Sequence, residues 1–272
     1  MSGAEASLLP DGKRLHLHHG PIDLILEVFG TERGPAYACA VKRFQGLLEG
    51  LVEELPSLRR PLDGRVFADP VARRMARAVA PFEGFVTPMA AVAGAVADEI
   101  LDVLLQCRPA KAYVNNGGDI AFYLAPGEGL TVQGASGPIH IRAEDRARGL
   151  ATSGWRGRSL SLGIADAVSV AAGTAAGADA AATLIANAVD LPGHPGIRRV
   201  PASEISPESD LGARLVTTGV GPLSDQDCQM ALTRGAALAE RFRARGLIEQ
   251  AQLSLAGRRR IVAPREEIPA HA

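Results

Sequence analysis

The chain has 272 residues, a formal net charge of -1, 47% hydrophobic residues and 22% charged ones. That is long and apolar enough to bury a sizeable core, and too evenly charged to mark a nucleic-acid or anionic-membrane binder. The three cysteines, Cys39, Cys107 and Cys228, are odd in number and far apart, which argues against a disulfide scaffold or a cysteine-rich zinc site and suits a reducing compartment.

No basic head precedes an apolar run near Met1, and no run of 18 apolar residues free of charge occurs. Neither a signal peptide nor a membrane span is expected, and the location reads as cytoplasmic. Aromatic residues make up 4% of the chain while alanine is abundant, so helices should pack closely through small side chains.

Residues 1–12 read as a frayed end. Residues 14–18 and 22–29 alternate apolar and polar around Gly20-Pro21, the pattern of a hairpin or two consecutive strands. His16, His18 and His19 lie in this stretch. With no acidic or cysteine partners written nearby, they read as surface or interface histidines rather than metal ligands. Residues 36–55 carry apolar positions at i, i+3, i+4 spacing and predict one amphipathic helix ended by Pro56. Asp69-Pro70 announces a second helix, to about Ala80. Thr87-Pro88 repeats the signal for a helix over 89–107, whose small residues at Ala93-Gly94 let another backbone come close. On it, Asp98 and Asp102 lie i, i+4 on one face; Asp102 reads as a solvated charge, and Asp98 is left open.

Short strands are expected at 111–114 and 120–124, a strand meander over 130–133 and 138–142, and further strands at 159–164 and 167–171. A helix follows over 178–189. Residues 191–213, rich in Pro, Gly, Ser and charge, mark the candidate subdomain boundary within a single domain spanning 1–272. A strand at 215–218 precedes Ser224-Asp225-Gln226-Asp227, a near capping box that opens a helix to about Arg245-Gly246. A hairpin around Ala256-Gly257 closes the fold. Strand runs set apart from helices favour α+β over a regular βαβ alternation.

Three polar signatures stand in the alanine-rich middle. Asn115, Asn116, Gly117, Gly118 and Asp119 fit two readings: a tight hairpin turn, or a loop whose backbone N–H groups approach an anion. Thr152, Ser153 and Gly154 offer hydroxyls beside a glycine, for ligand contact or an ordinary turn. Ser153 lacks a neighbouring base, and no catalytic residue is identified. Asp179 and Thr183 lie i, i+4 on one helix and present two oxygens together. That suits Mg²⁺, which takes one or two protein oxygens beside phosphate and water, or else a first-turn acid and a helix-bonded hydroxyl. Gly219-Val220-Gly221-Pro222-Leu223 reads as a glycine loop of structural use.

Taken in order, Ala93-Gly94 with Asp98, the Asn-Asn-Gly-Gly-Asp loop, Ala151-Thr152-Ser153-Gly154, and Ala178-Asp179 with Ala182-Thr183 resemble the ApbE family of FAD:protein FMN transferases, over roughly residues 87–189. His19-Gly20-Pro21-Ile22-Asp23 looks like a signature of a divergent branch of that family. The resemblance implies an ApbE-like α+β fold, with mixed, mainly antiparallel sheets packed with helices. It implies a flavin nucleotide pocket at Asn115, Asn116, Gly117, Gly118, Asp119, Thr152, Ser153 and Gly154. It further implies Mg²⁺ on Asp179, Thr183 and a backbone carbonyl from the 90–93 stretch, and transfer of FMN from FAD to a threonine of a protein acceptor with release of AMP. Two features depart from the family. Ala93 stands where it carries lysine, and residues 159–165 hold no counterpart of its His-Ile-x-Asp-Pro segment. A flavin- or nucleotide-binding module without transfer, or a structural homodimer, are the alternatives.

Overall fold

The computed structural model describes residues 3–264. A nine-stranded antiparallel sheet runs through the protein in the order β1-β2-β3-β4-β5-β8-β9-β12-β13. Its strands are β1 (Glu5–Leu8), β2 (Leu15–His19), β3 (Ile22–Phe29), β4 (Lys111–Asn116), β5 (Asp119–Leu124), β8 (Gly149–Ser153), β9 (Ala167–Ala172), β12 (Gln250–Leu255) and β13 (Arg258–Val262). Two separate hairpins, β6 (Gly129–Gly134) with β7 (Gly137–Arg142) and β10 (Ile197–Pro201) with β11 (Leu215–Val220), complete the strands.

Alternation along the central strands sets the layers. Leu24, Leu26, Val28, Val114, Ala121, Ala151 and Val170 point to one face, under the helices α1 (Arg33–Phe44), α3 (Pro70–Val79), α4 (Val92–Leu105), α5 (Ala175–Ala188) and α7 (Asp225–Ala244). Phe122, Leu124, Leu150 and Ala171 point to the other, where Ile139 and Ile141 of the β6–β7 hairpin cover them. The architecture is α+β, as the separated strand and helix patterns imply.

The α4–α5 pair sits at the centre of the helical layer. A Cβ at Gly94 would fall inside the Ala175 carbonyl, so the two backbones touch there. The contact is reinforced in both directions. Ala175 and Ala176 donate their N–H groups to the two oxygens of Asp98 at 3.0 and 2.9 Å, and Gly94 donates its N–H to Asp179 Oδ2 at 3.1 Å. The Thr174 hydroxyl accepts from Gly177 N–H at 3.0 Å, so the first orphan donors of α5 all have partners.

Several expectations are corrected. Residues 5–8 are not frayed: they pair with β2 in register from Glu5 opposite His18 to Leu8 opposite Leu15. Their exposed side chains mark an edge strand and hide the pairing from a burial pattern. The helix expected over 36–55 is two, because Gly46, at φ +75, turns the chain before α2 (Leu47–Leu58). Pro56 lies inside α2 rather than ending it, at the loss of one N–H donor in its last turn. The helix expected from residue 89 opens as a 3₁₀ turn, Pro88–Ala91, and becomes α-helical at Val92. Residues 159–164 form no strand, and residues 149–153 form one that the pattern missed. The 191–213 excursion holds β10 and a one-turn helix, α6 (Ala202–Ile205). The capping box at Ser224 forms with Asp227.

Replacing Gly94 by alanine should cost about 2–3 kcal/mol, because the added methyl group must push the two backbones apart. Gly173→Ala, where an added Cβ meets open space, should change stability by less than about 0.5 kcal/mol. Thermal denaturation of the two variants checks the difference; equal melting temperatures would show that the helices are not in backbone contact.

Candidate functional site

The α4–α5 crossing also positions a cavity of about 460 Å³, within the ~300–1,000 Å³ of small-molecule sites. Its floor is α5. Asp179, Thr183 and Asn187 succeed one another at i, i+4, i+8 and so share one stripe of that helix, and all three line the cavity. Thr87, Met89, Ala90, Val92 and Ala93 come from the 3₁₀ turn and the start of α4, and Asp119 from the start of β5. Arg158, Ser159, Leu160 and Leu162 come from the irregular chain after β8, and Ile205 with residues around Asp210 from the β10–β11 excursion.

Asp119 and Asp179 dominate the electrostatics. Both are half-buried on the cavity wall. Loss of hydration pushes the Asp119 carboxyl up to about 7, against the Thr152 N–H, which donates at 3.2 Å, and the Arg158 charge. Asp179 rises well above the ordinary carboxylate range, first through burial and then through repulsion by Asp119, with the Gly94 N–H opposing. Behind them Asp98, buried at the start of α5, is pushed up to about 6 by burial, against the two amide N–H groups it accepts.

The Gly117-Gly118 pair forms the two-residue turn between β4 and β5, with φ +64 and +115. This is the hairpin-turn reading of the loop, and its glycines are needed for those angles. Asn115 Oδ1 accepts from Gly118 N–H at 2.8 Å and closes the turn. The buried Asn116 amide donates to the Ala93 carbonyl at 3.1 Å and so ties the sheet to the start of α4. Of the loop's five residues, Asp119 lines the cavity, and the other four hold its surroundings.

Thr152, Ser153 and Gly154 are likewise outside the lining. Thr152 orients Asp119 through its backbone and bonds Ser169 through its hydroxyl at 2.8 Å, while Gly154 packs against the Asp166 carbonyl. Ala90 and Ala93 face the same space as Asp179 and Thr183. Asp102 is an exposed partner of Arg74.

Sequence reasoning missed Arg158, Asn187 and the cavity wall from the β10–β11 excursion. Asn187 carried a signal in its spacing from Asp179 and Thr183. It accepts from Leu162 N–H at 2.9 Å and fixes the chain that bears Arg158. Thr87, read as a helix start, does not cap its helix; its buried hydroxyl donates to Asp210 at 2.5 Å and fastens the excursion to the cavity rim. His16 bonds Asp23 at 2.9 Å on the outer sheet face, and His19 is buried against Phe44. Among the described residues no cluster of three or more His, Cys, Asp or Glu has metal-binding geometry, and no helix is long and apolar enough to cross a membrane.

The model of the family described as AbpE bacteria matches residues 6–261. A UPF0280 protein of Methanothrix thermoacetophila is 37% identical over 128 residues, 45% of this chain and 53% of that one. A UPF0280 protein of Methanopyrus kandleri is 36% identical over 181 residues, 61% and 69% of the two chains. The match thus spans about half the length of the first of these relatives. The apo form of the Pseudomonas stutzeri flavinyl transferase ApbE has a TM-score of 0.52 at 11% identity, covering 96% of this chain and 95% of that one, which is a likeness of fold.

Asp119 holds its proton more tightly folded than unfolded. Its contribution to stability is therefore complete below the unfolded value of 3.8 and is lost as the pH rises through about 7. Asp119→Asn removes that loss while keeping an oxygen for the Thr152 N–H. In metal-free buffer it should raise the melting temperature at pH 8 by about 3–6 °C, equivalent to about 1–2 kcal/mol, and change it little at pH 4.5. A uniform shift across that range would refute the strained carboxylate.

Proposed function

The chain belongs to the AbpE bacteria family, and from that premise we propose that its cavity binds a flavin nucleotide together with Mg²⁺ and serves transfer of FMN from FAD to a hydroxyl of a protein acceptor. The observation that carries the reading is the meeting of Asp179 and Thr183 with Asp119, Ala90 and Ala93 on one cavity.

The residues fit the cation. Asp179 and Thr183 supply oxygen donors from successive turns of α5, and the desolvated acid pair repels itself without a positive charge between its members. Mg²⁺ would sit on Asp179 and Thr183, with backbone oxygen from residues 90–93, and would offset the charge of a diphosphate. Asn116 fixes the direction of the Ala93 carbonyl, and Gly94 N–H fixes one oxygen of Asp179. Met89, Val92, Leu160 and Leu184 give the ring system an apolar wall.

A second reading, flavin binding without transfer, is favoured by one feature. The family's histidine segment would fall at residues 159–165, and here that stretch is irregular chain tied to Asn187 and holds no histidine.

Titration with FAD, FMN and unrelated nucleotides, with and without Mg²⁺, tests binding. Saturating FAD with Mg²⁺ should stabilise the wild type by about 2–4 kcal/mol at 100 to 1,000 times its Kd. Asp179→Ala and Thr183→Ala should lose the Mg²⁺-dependent part. AMP release in the presence of a threonine-bearing acceptor supports transfer; flavin stabilisation without AMP supports the second reading. Absence of stabilisation by any flavin with Mg²⁺ sinks both.

A further inference from the structure

Arg158 is a cation set into an acidic cavity. Asp119, Asp179, Glu208 and Asp210 all line that space, and the other lining arginine, Arg59, is engaged by Glu208 at 2.8 Å. Arg158 makes no hydrogen bond or ion pair among the described residues, yet it lies close enough to Asp119 to draw down that carboxyl. Its guanidinium rests against the Gly117-Gly118 turn, where any Cβ at Gly117 would collide with it.

The chain that carries Arg158 is fixed. Leu162 N–H and the Ser161 hydroxyl both bond Asn187 Oδ1, at 2.9 and 3.2 Å, and the Ser161 carbonyl accepts from Thr217 N–H at 2.9 Å. A guanidinium on the cavity wall that forms no hydrogen bond or ion pair among the described residues keeps its N–H groups open to an anion that arrives with the ligand. A planar fork of N–H donors matches phosphate oxygens two at a time.

We propose that Arg158 is the anion-binding residue of this cavity, and that it takes a phosphate group of the ligand. The assignment rests on the nucleotide-binding reading of the site and deepens it. Arg158 then separates phosphorylated flavins from riboflavin, which presents no anion.

Wild type, Arg158→Ala and Arg158→Lys are titrated with FAD, FMN and riboflavin in the presence of Mg²⁺. In Arg158→Ala, FAD and FMN should bind roughly 10- to 100-fold more weakly, the loss of one charge-assisted contact, with riboflavin affinity unchanged. Arg158→Lys should recover some of that loss as a point charge without the fork. Equal weakening of FMN and riboflavin marks a structural role and overturns the assignment, as does unchanged FMN affinity. If the wild type binds no flavin at all, the nucleotide-binding reading fails by itself, and inorganic pyrophosphate with Mg²⁺ then decides on Arg158. A thermal shift present in wild type and lost in Arg158→Ala upholds it; no shift, or one that persists in the variant, ends it.

Discussion

The structure depends on two helices that exchange hydrogen bonds at the point where their backbones touch. Asp98 of α4 accepts the first amide N–H groups of α5, and Asp179 of α5 accepts the N–H of Gly94 in α4. Each carboxylate thereby satisfies donors that the other helix leaves open, and each sits near an N-terminal helix end, where the backbone dipoles favour negative charge. The exchange requires small residues at the crossing. Gly94, Ala175, Ala176 and Ala178 provide them, which gives the alanine-rich composition a physical purpose.

That crossing brings two acids together, with a third on the same cavity wall as Asp179. Asp98 is compensated by its amides, whereas loss of hydration raises both Asp119 and Asp179, and the Asp119 charge raises Asp179 further. A fold optimised for stability alone would not keep such a pair. Stored electrostatic cost of this kind is characteristic of sites that await a charged ligand. With the proposed divalent cation on Asp179 and Thr183, Arg158 of the same lining completes a site suited to a phosphate-bearing guest.

Much of the fold was legible because its signals are local. Asp69-Pro70 and the Ser224–Asp227 box start their helices where the sequence indicates, and the 22–29 alternation is a strand along its whole length. The meeting of Asp119, Asp179 and Thr183 on one cavity followed the order of the motifs. Features that depend on distant partners were not legible. β1 is an edge strand whose pairing leaves its side chains exposed. The 159–164 chain looks like a strand by composition, but Gly163 packs on the Ala186 carbonyl and Asn187 takes the Leu162 N–H, so no sheet partner is needed. The role of Asn116 is invisible in sequence because its partner, the Ala93 carbonyl, is a backbone group that every residue type carries. Arg158 was hidden for the same reason: its neighbour is a glycine turn some forty positions earlier.

The most direct test is to locate the cation. Crystals grown with Mn²⁺ in place of Mg²⁺ and with FMN should show anomalous density within about 2.0–2.3 Å of an Asp179 carboxylate oxygen and beside the Thr183 hydroxyl. Manganese found elsewhere, for instance at His16 and His18 on the outer sheet face, with none between Asp179 and Thr183, would contradict the account.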